Sequence, residues 1–229
     1  MPILSIDSSS GYSNTLIMDD NLNVITETIS GFHENHSVLI FKQIDEMLSK
    51  TDIKLNDLNG IAVSLGPGSF TGVRVSLTIA KTLSYILGLN IIGLGTLFVC
   101  AYSIFKNNLD PKYIIAIKNA IKNSYYVSAF MSKNGNLTSY LKICRFNMEE
   151  LKLFIDGLGS VPTLVYGYNQ KDKYKRFKSE LKENVPLIPF DLIKIPYYAA
   201  KYALKSGIKN DLNYTEGLSP YYVYSEGPF

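Results

Sequence analysis

Apolar periodicity divides the chain into three strands, a helix, a strand, a helix and a strand, and then repeats that order. The first set predicts strands at Ile3–Ser8, Thr15–Met18 and Val24–Ile29, a helix over about Ser37–Lys50, a strand at Ile61–Leu65, a helix over Phe70–Leu87 and a strand at Asn90–Leu94. The second predicts strands at 113–117, 124–131 and 137–146, a helix at Met148–Asp156, a strand at 163–168, a charged helix over Lys171–Lys182 and the short apolar run PLIPF at 186–190. A restart of this kind is a duplicated α/β layout, each half a mixed sheet in which hairpins join antiparallel strands and helices join the later ones. The turn-rich NNLDPK, residues 107–112, sets the expected division into 1–106 and 107–229, with the segment from about 212 packing back on the first half.

Such a layout needs two cores, and 46% hydrophobic residues among 229 supply them, which excludes a disordered chain. No apolar run approaches a membrane span, and MPILSIDSSS lacks the basic n-region of a secretory leader, so a soluble, cytoplasmic protein is expected. Cys100 and Cys144 stand far apart without a CxxC or a histidine pattern, which points to reduced thiols and no metal. The net charge of +3 admits a nucleic-acid partner without demanding one.

The most chemically suggestive stretch is SLGPGSFTGVRVS, residues 64–76, between a buried strand and a helix. A helix start offers unpaired N–H groups and the positive end of the macrodipole, and glycines let an anion approach the backbone. Yet Gly72 is followed by Val73 and Arg74, where a Walker A loop has Lys and Ser/Thr. Thr71 stands where a dinucleotide fingerprint has its third glycine. From these residues alone, an anion cradle and a structural turn both stand.

Two lobes of this order resemble the actin-like plan of sugar and acetate kinases and Hsp70, in which an Asp closing the first strand sits near the phosphates. Asp7 of LSIDSSSG occupies that place; equally, it closes a strand and bonds the turn Ser8–Gly11. The corresponding crossover of the second half, GSVPTLVYGYNQKDK, has no glycine loop to match residues 66–72, so half a nucleotide clamp is visible.

Three marks, IDSSS at the end of the first strand, HSVL at His36–Leu39 and GPGSFTGVRVS after the fourth strand, closely resemble the TsaB (YeaZ) family in order and spacing. ILGLNIIGLGTL, residues 86–97, continues the resemblance, and SPYYVY, 219–224, is similar to the family's closing motif. The resemblance implies a non-catalytic subunit in the formation of threonylcarbamoyladenosine beside the tRNA anticodon. It implies direct pairing with a TsaD homologue that holds the metal and performs the transfer, recruitment of a TsaE homologue, and contact with tRNA only through the complex. No cofactor of its own is expected; a homodimer is the alternative when TsaD is absent. The family's Asp-Ala-Arg early in the second lobe reads Asn119-Ala120-Ile121 here, and the final Arg of the closing motif is Tyr224, losses of charge that argue against a ligand in the second lobe. On this view Asp7, Gly66, Gly68, Ser69, Thr71 and Gly72 form a vestigial nucleotide loop that shapes the start of an interface helix. Competing readings are a free-standing actin-like, ATP-dependent phosphotransferase using Asp7 and the loop, and a protease acting on its paralogue; the latter lacks a Ser/His/Asp or metal constellation.

His33 and His36 have no third ligand in the pattern, and Ser37 beside His36 has no orienting group, so helix capping is the expected role. QKDKYKRFKSELK, 170–182, reads as a solvated basic helix with Tyr174 and Phe177 inward; tRNA phosphate contact is the sharper alternative. In the first lobe, Val73, Leu77, Ala80 and Leu83 or Leu87 suffice to cover a sheet, while Val75, Ile79 and Ile86 make a second stripe. Ile40, Phe41, Ile44 and Met47 form a broad face on the preceding helix. These residues, with Arg74 as an anion or partner contact, are the predicted interface, paired with the paralogue as a four-helix bundle.

Overall fold

The computed structural model describes residues 2–31, 36–105, 111–181, 184–208 and 212–223. In chain order the elements are β1 (Ile3–Asp7), β2 (Asn14–Met18), β3 (Val24–Ile29), α1 (His36–Ser49), β4 (Gly60–Ser64), α2 (Phe70–Leu87), β5 (Asn90–Leu94) and α3 (Thr96–Phe105). They continue with β6 (Tyr113–Asn119), β7 (Tyr125–Lys133), β8 (Asn136–Phe146), α4 (Met148–Asp156), β9 (Thr163–Tyr168), α5 (Lys171–Glu180), β10 (Leu187–Asp191), α6 (Ile195–Ser206) and α7 (Leu212–Gly217).

Two five-stranded sheets form, ordered β3-β2-β1-β4-β5 and β10-β9-β6-β7-β8. The second therefore repeats the topology of the first. In each, the first three strands are antiparallel neighbours, and the fourth and fifth join in parallel. Parallel neighbours need a crossover, and α1 with α2, then α4 with α5, supply it.

Two compact units result, one of Met1–Thr96 with Ile193–Tyr221 and the other of Leu97–Leu192 with Tyr222–Phe229. The division thus falls at Thr96/Leu97 instead of 106/107, and residues 106–110 lie outside the described residues. The shift has a physical cause in two helices to which periodicity assigns nothing. β1 is buried along its whole length, so the first sheet needs cover on both faces. Leu4, Ile6, Ile17, Ile61 and Val63 share one core with Ile40, Ile44, Met47, Leu77 and Ile79 of α1 and α2. The helix α6 packs on β1, β2 and β4, and its Ala199, Ala200 and Ala203 are buried. Helix α3 belongs to the second unit, where Phe98 meets Phe130 edge-on at 5.8 Å.

The second core is aromatic: Phe177 of α5 stacks on Tyr166 at 4.3 Å and meets Tyr125 at 5.0 Å. Tyr174 and Phe177 are thus turned inward, leaving Lys171, Lys173, Lys175, Arg176 and Lys178 exposed. Helix α4 starts on a capping box, Asn147 Oδ1 accepting from the N–H groups of Glu149 and Glu150 while Glu150 accepts from Asn147 N–H at 2.7 Å.

Candidate functional site

The glycine loop closes on the turn that follows β1. Ser69 caps α2, its hydroxyl oxygen accepting from Gly72 N–H at 3.2 Å. Ser69 N–H donates to the Ser9 carbonyl at 2.9 Å, and the Ser8 hydroxyl donates to the Gly72 carbonyl at 2.6 Å. A methyl added at Gly68 would lie 2.2 Å from the Ser9 carbonyl oxygen, and one at Gly72 would lie 2.0 Å from that of Ser8. The glycines therefore serve the approach of backbone to backbone. Gly66 holds φ at +86°, a left-handed conformation suited to glycine, and its carbonyl accepts from Thr96 N–H at 2.7 Å.

Asp7 lies beneath this junction, fully buried. One carboxylate oxygen accepts from Ser9 N–H at 3.1 Å and from the Ser64 hydroxyl, the other from the Ser10 hydroxyl at 3.4 Å. Its acceptors bind the ends of β1 and β4 to the turn. The bonds to Ser9 and Ser10 are those that the strand-closing reading of Asp7 expects. The loop's other side is covered by the closing segment: Tyr221 N–H donates to the Leu65 carbonyl at 2.7 Å, and its ring lies 2.9 Å from where a Gly95 Cβ would stand. Thr71 is exposed at the start of α2.

The predicted interface residues separate into two groups. Ile40, Ile44, Met47 and Ile79 lie in the buried core of the first unit. For Ile79 the reason is rotational. Along α2, Thr71, Arg74, Thr78, Thr82 and Tyr85 form the exposed arc, and Ile79 falls just inside the buried one. Val75, beside it, is half-buried against the same core. Phe41 is 51% exposed and Ile86 69% exposed, and Arg74 holds its guanidinium 3.8 Å above the ring of Phe70, itself 57% exposed. Phe70 and Tyr85, which the periodic pattern did not single out, are also exposed on α2, as is Val38 on α1. The signal for Phe70 was present as an (i, i+4) pair with Arg74. His33 lies outside the described residues, and His36 is placed only as the first residue of α1. Among the described residues no three His, Cys, Asp or Glu side chains converge as a metal site would require.

Residues 30–151 match the family described as TsaD, tRNA N6-adenosine threonylcarbamoyltransferase. A tRNA threonylcarbamoyladenosine biosynthesis protein TsaB, from Buchnera aphidicola of Acyrthosiphon pisum, is 30% identical over 220 residues, 93% of this chain and 96% of the relative. The chain belongs to the TsaB family. YeaZ from Pseudomonas aeruginosa superposes with a TM-score of 0.70 at 16% identity, covering 97% of this chain and 99% of that one. Component A of the (R)-2-hydroxyglutaryl-CoA dehydratase of Acidaminococcus fermentans gives 0.57 at 12% identity, covering 90% and 98%. The fold is the two-lobe, actin-like one of mixed sheets with flanking helices, and the motifs IDSSS, HSVL and GPGSFTGVRVS all fall in its first unit. No helix among the described residues is long and apolar enough to cross a membrane.

Proposed function

We propose that this chain is a non-catalytic subunit for threonylcarbamoyladenosine formation on tRNA, working in the cytoplasm. It pairs with a TsaD homologue through α1 and α2 and supports recruitment of a TsaE homologue. The observation that carries this reading is the set of large apolar side chains left exposed on those helices, Val38 and Phe41 on α1 and Phe70, Tyr85 and Ile86 on α2, in a chain of the TsaB family. Large apolar side chains left in water on adjoining helices favour association. Arg74 lies on the exposed side of α2 over Phe70, Val75 is half-buried beside it, and the glycine loop caps the start of α2. Closure of the loop on the Asp7 turn supports the absence of catalysis, since Ser69 N–H and Gly72 N–H are already spent inside the protein.

The test is co-purification with the TsaD homologue of the same cell, together with the threonylcarbamoyladenosine content of bulk tRNA. Phe41→Asp with Ile86→Asp places two charges in the proposed contact. This pair should weaken binding at least about tenfold and lower the modified nucleoside, with the melting temperature held, because both sites are solvated in the free chain. Full binding by the folded double variant would refute the interface. ATP hydrolysis by the purified chain alone would favour the alternative, a free-standing actin-like phosphotransferase.

A further inference from the structure

The turn between β6 and β7 and the exposed side of α5 enclose a cavity of about 280 Å³, lined among others by Asn119, Lys122, Ser124, Lys173, Arg176 and Glu180. We infer that this cavity, with the adjoining face of α5, binds the phosphodiester backbone of RNA, an inference that rests on the tRNA reading above. Three cations, Lys122, Lys173 and Arg176, line it beside one carboxylate, Glu180. Arg176 engages Glu180 through Nε at 3.2 Å, which orients its guanidinium. Asn119, also in the lining, is held by its Oδ1, which accepts from the buried Tyr166 hydroxyl at 2.7 Å, and its Nδ2 carries two further donors.

Two further observations point to a polyanion. Lys122 and Asn123 both adopt left-handed backbone, with φ of 54° and 52°. Asn tolerates that conformation; Lys does so at a cost of about 1 kcal/mol, and here it belongs to the cavity lining. Beyond the cavity, α5 carries five cations against two carboxylates, and its inward Phe177 is fully packed, which makes the helix a fixed platform. Loss of charge at Asn119-Ala120-Ile121 removes anion-binding groups from the turn, but α5 brings others to the same place.

The experiment measures binding of labelled, unmodified tRNA to the complex of this chain with its TsaD homologue, across a salt series. Lys122→Gln with Lys173→Gln and Arg176→Gln should lower affinity about tenfold or more at physiological salt and reduce the log–log salt slope by about 2 to 3. A control, Lys133→Gln with Lys142→Gln, alters exposed lysines at the far end of β7 and on β8, and should leave affinity within about twofold. Unchanged affinity in the triple variant, or an equal loss in the control, overturns the proposal. Displacement of the tRNA by millimolar AMP with the same sensitivity to the triple variant assigns the cavity to a free nucleotide and also overturns it. Failure of the unaltered chain to co-purify with TsaD sinks the subunit reading instead. Normal tRNA modification alongside an inert triple variant sinks only the RNA contact.

Discussion

Gly72→Ala probes whether the glycine loop is closed in solution. The new methyl would sit 2.0 Å from the Ser8 carbonyl oxygen and 3.0 Å from its carbon. The obstacle is backbone, so no rotamer relieves it; the first turn of α2 or the Asp7 turn must move by about 1 Å. That movement breaks the bonds from the Ser8 hydroxyl to the Gly72 carbonyl, from Ser69 N–H to the Ser9 carbonyl and from Gly72 N–H to Ser69. At about 1 kcal/mol each they account for about 3 kcal/mol, and residual overpacking adds about 1–3. Replacing a helical glycine by alanine returns about 1 kcal/mol, so the net loss is about 3–5 kcal/mol. Gly88→Ala is the control: its φ is +64° and nothing lies within 4 Å of the added methyl, so only the conformational cost of about 1 kcal/mol applies. Urea unfolding followed by far-ultraviolet circular dichroism compares them. A Gly72→Ala variant no less stable than Gly88→Ala would refute the closed junction, leave the loop amides open to an anion and revive the phosphotransferase reading.

Ile79→Glu should destabilise the first unit by about 3–5 kcal/mol, because an unpaired carboxylate would enter its core; a folded variant with selectively lost TsaD binding would contradict the burial of Ile79. In the second unit, burial, with Glu150 adding to it, pushes the Cys144 thiol up to about 11 from an ordinary 9. A raised value in the folded state favours the neutral thiol, so its contribution is whole below pH 9 and lost as pH rises through 11; Tyr125 and Tyr166, raised chiefly by burial, act in the same direction. The melting temperature should accordingly fall across that window, and Cys144 should resist iodoacetamide near about pH 8 until denaturant is added. Rapid stoichiometric alkylation of Cys144 in the folded chain would disprove it.

Elements with punctuated ends were legible in the sequence. Phe70–Leu87 is bounded by the Ser69 cap and by Gly88 in left-handed conformation, and Met148–Asp156 by the Asn147 capping box; both match the spans expected from pattern alone. Helix α3 was not legible, because TLFVCAYSIF is apolar on every side and gives no period to read. The buried stripe of α6 is mostly alanine, a weak signal in any hydropathy pattern, yet that smallness suits close packing on a sheet. The loop shows the limit more sharply. Its glycines announce a close backbone approach, but the approaching group is Ser8, 64 residues away from Gly72, and nothing local distinguishes a carbonyl from a phosphate. Ile79 failed for a related reason. At about 100° per residue, Val75, Ile79 and Ile86 fall within an arc of about 40°, straddling the line between the solvated and covered sides of α2. A helix pattern cannot say where a neighbour's edge falls on such a stripe. The core cluster shared with α1 takes Ile79 and part of Val75, and Ile86 remains in water with Phe41. Under the proposed pairing, what α1 and α2 leave uncovered after they pack on one another and on the sheet is the surface on which the partner's affinity has to be built.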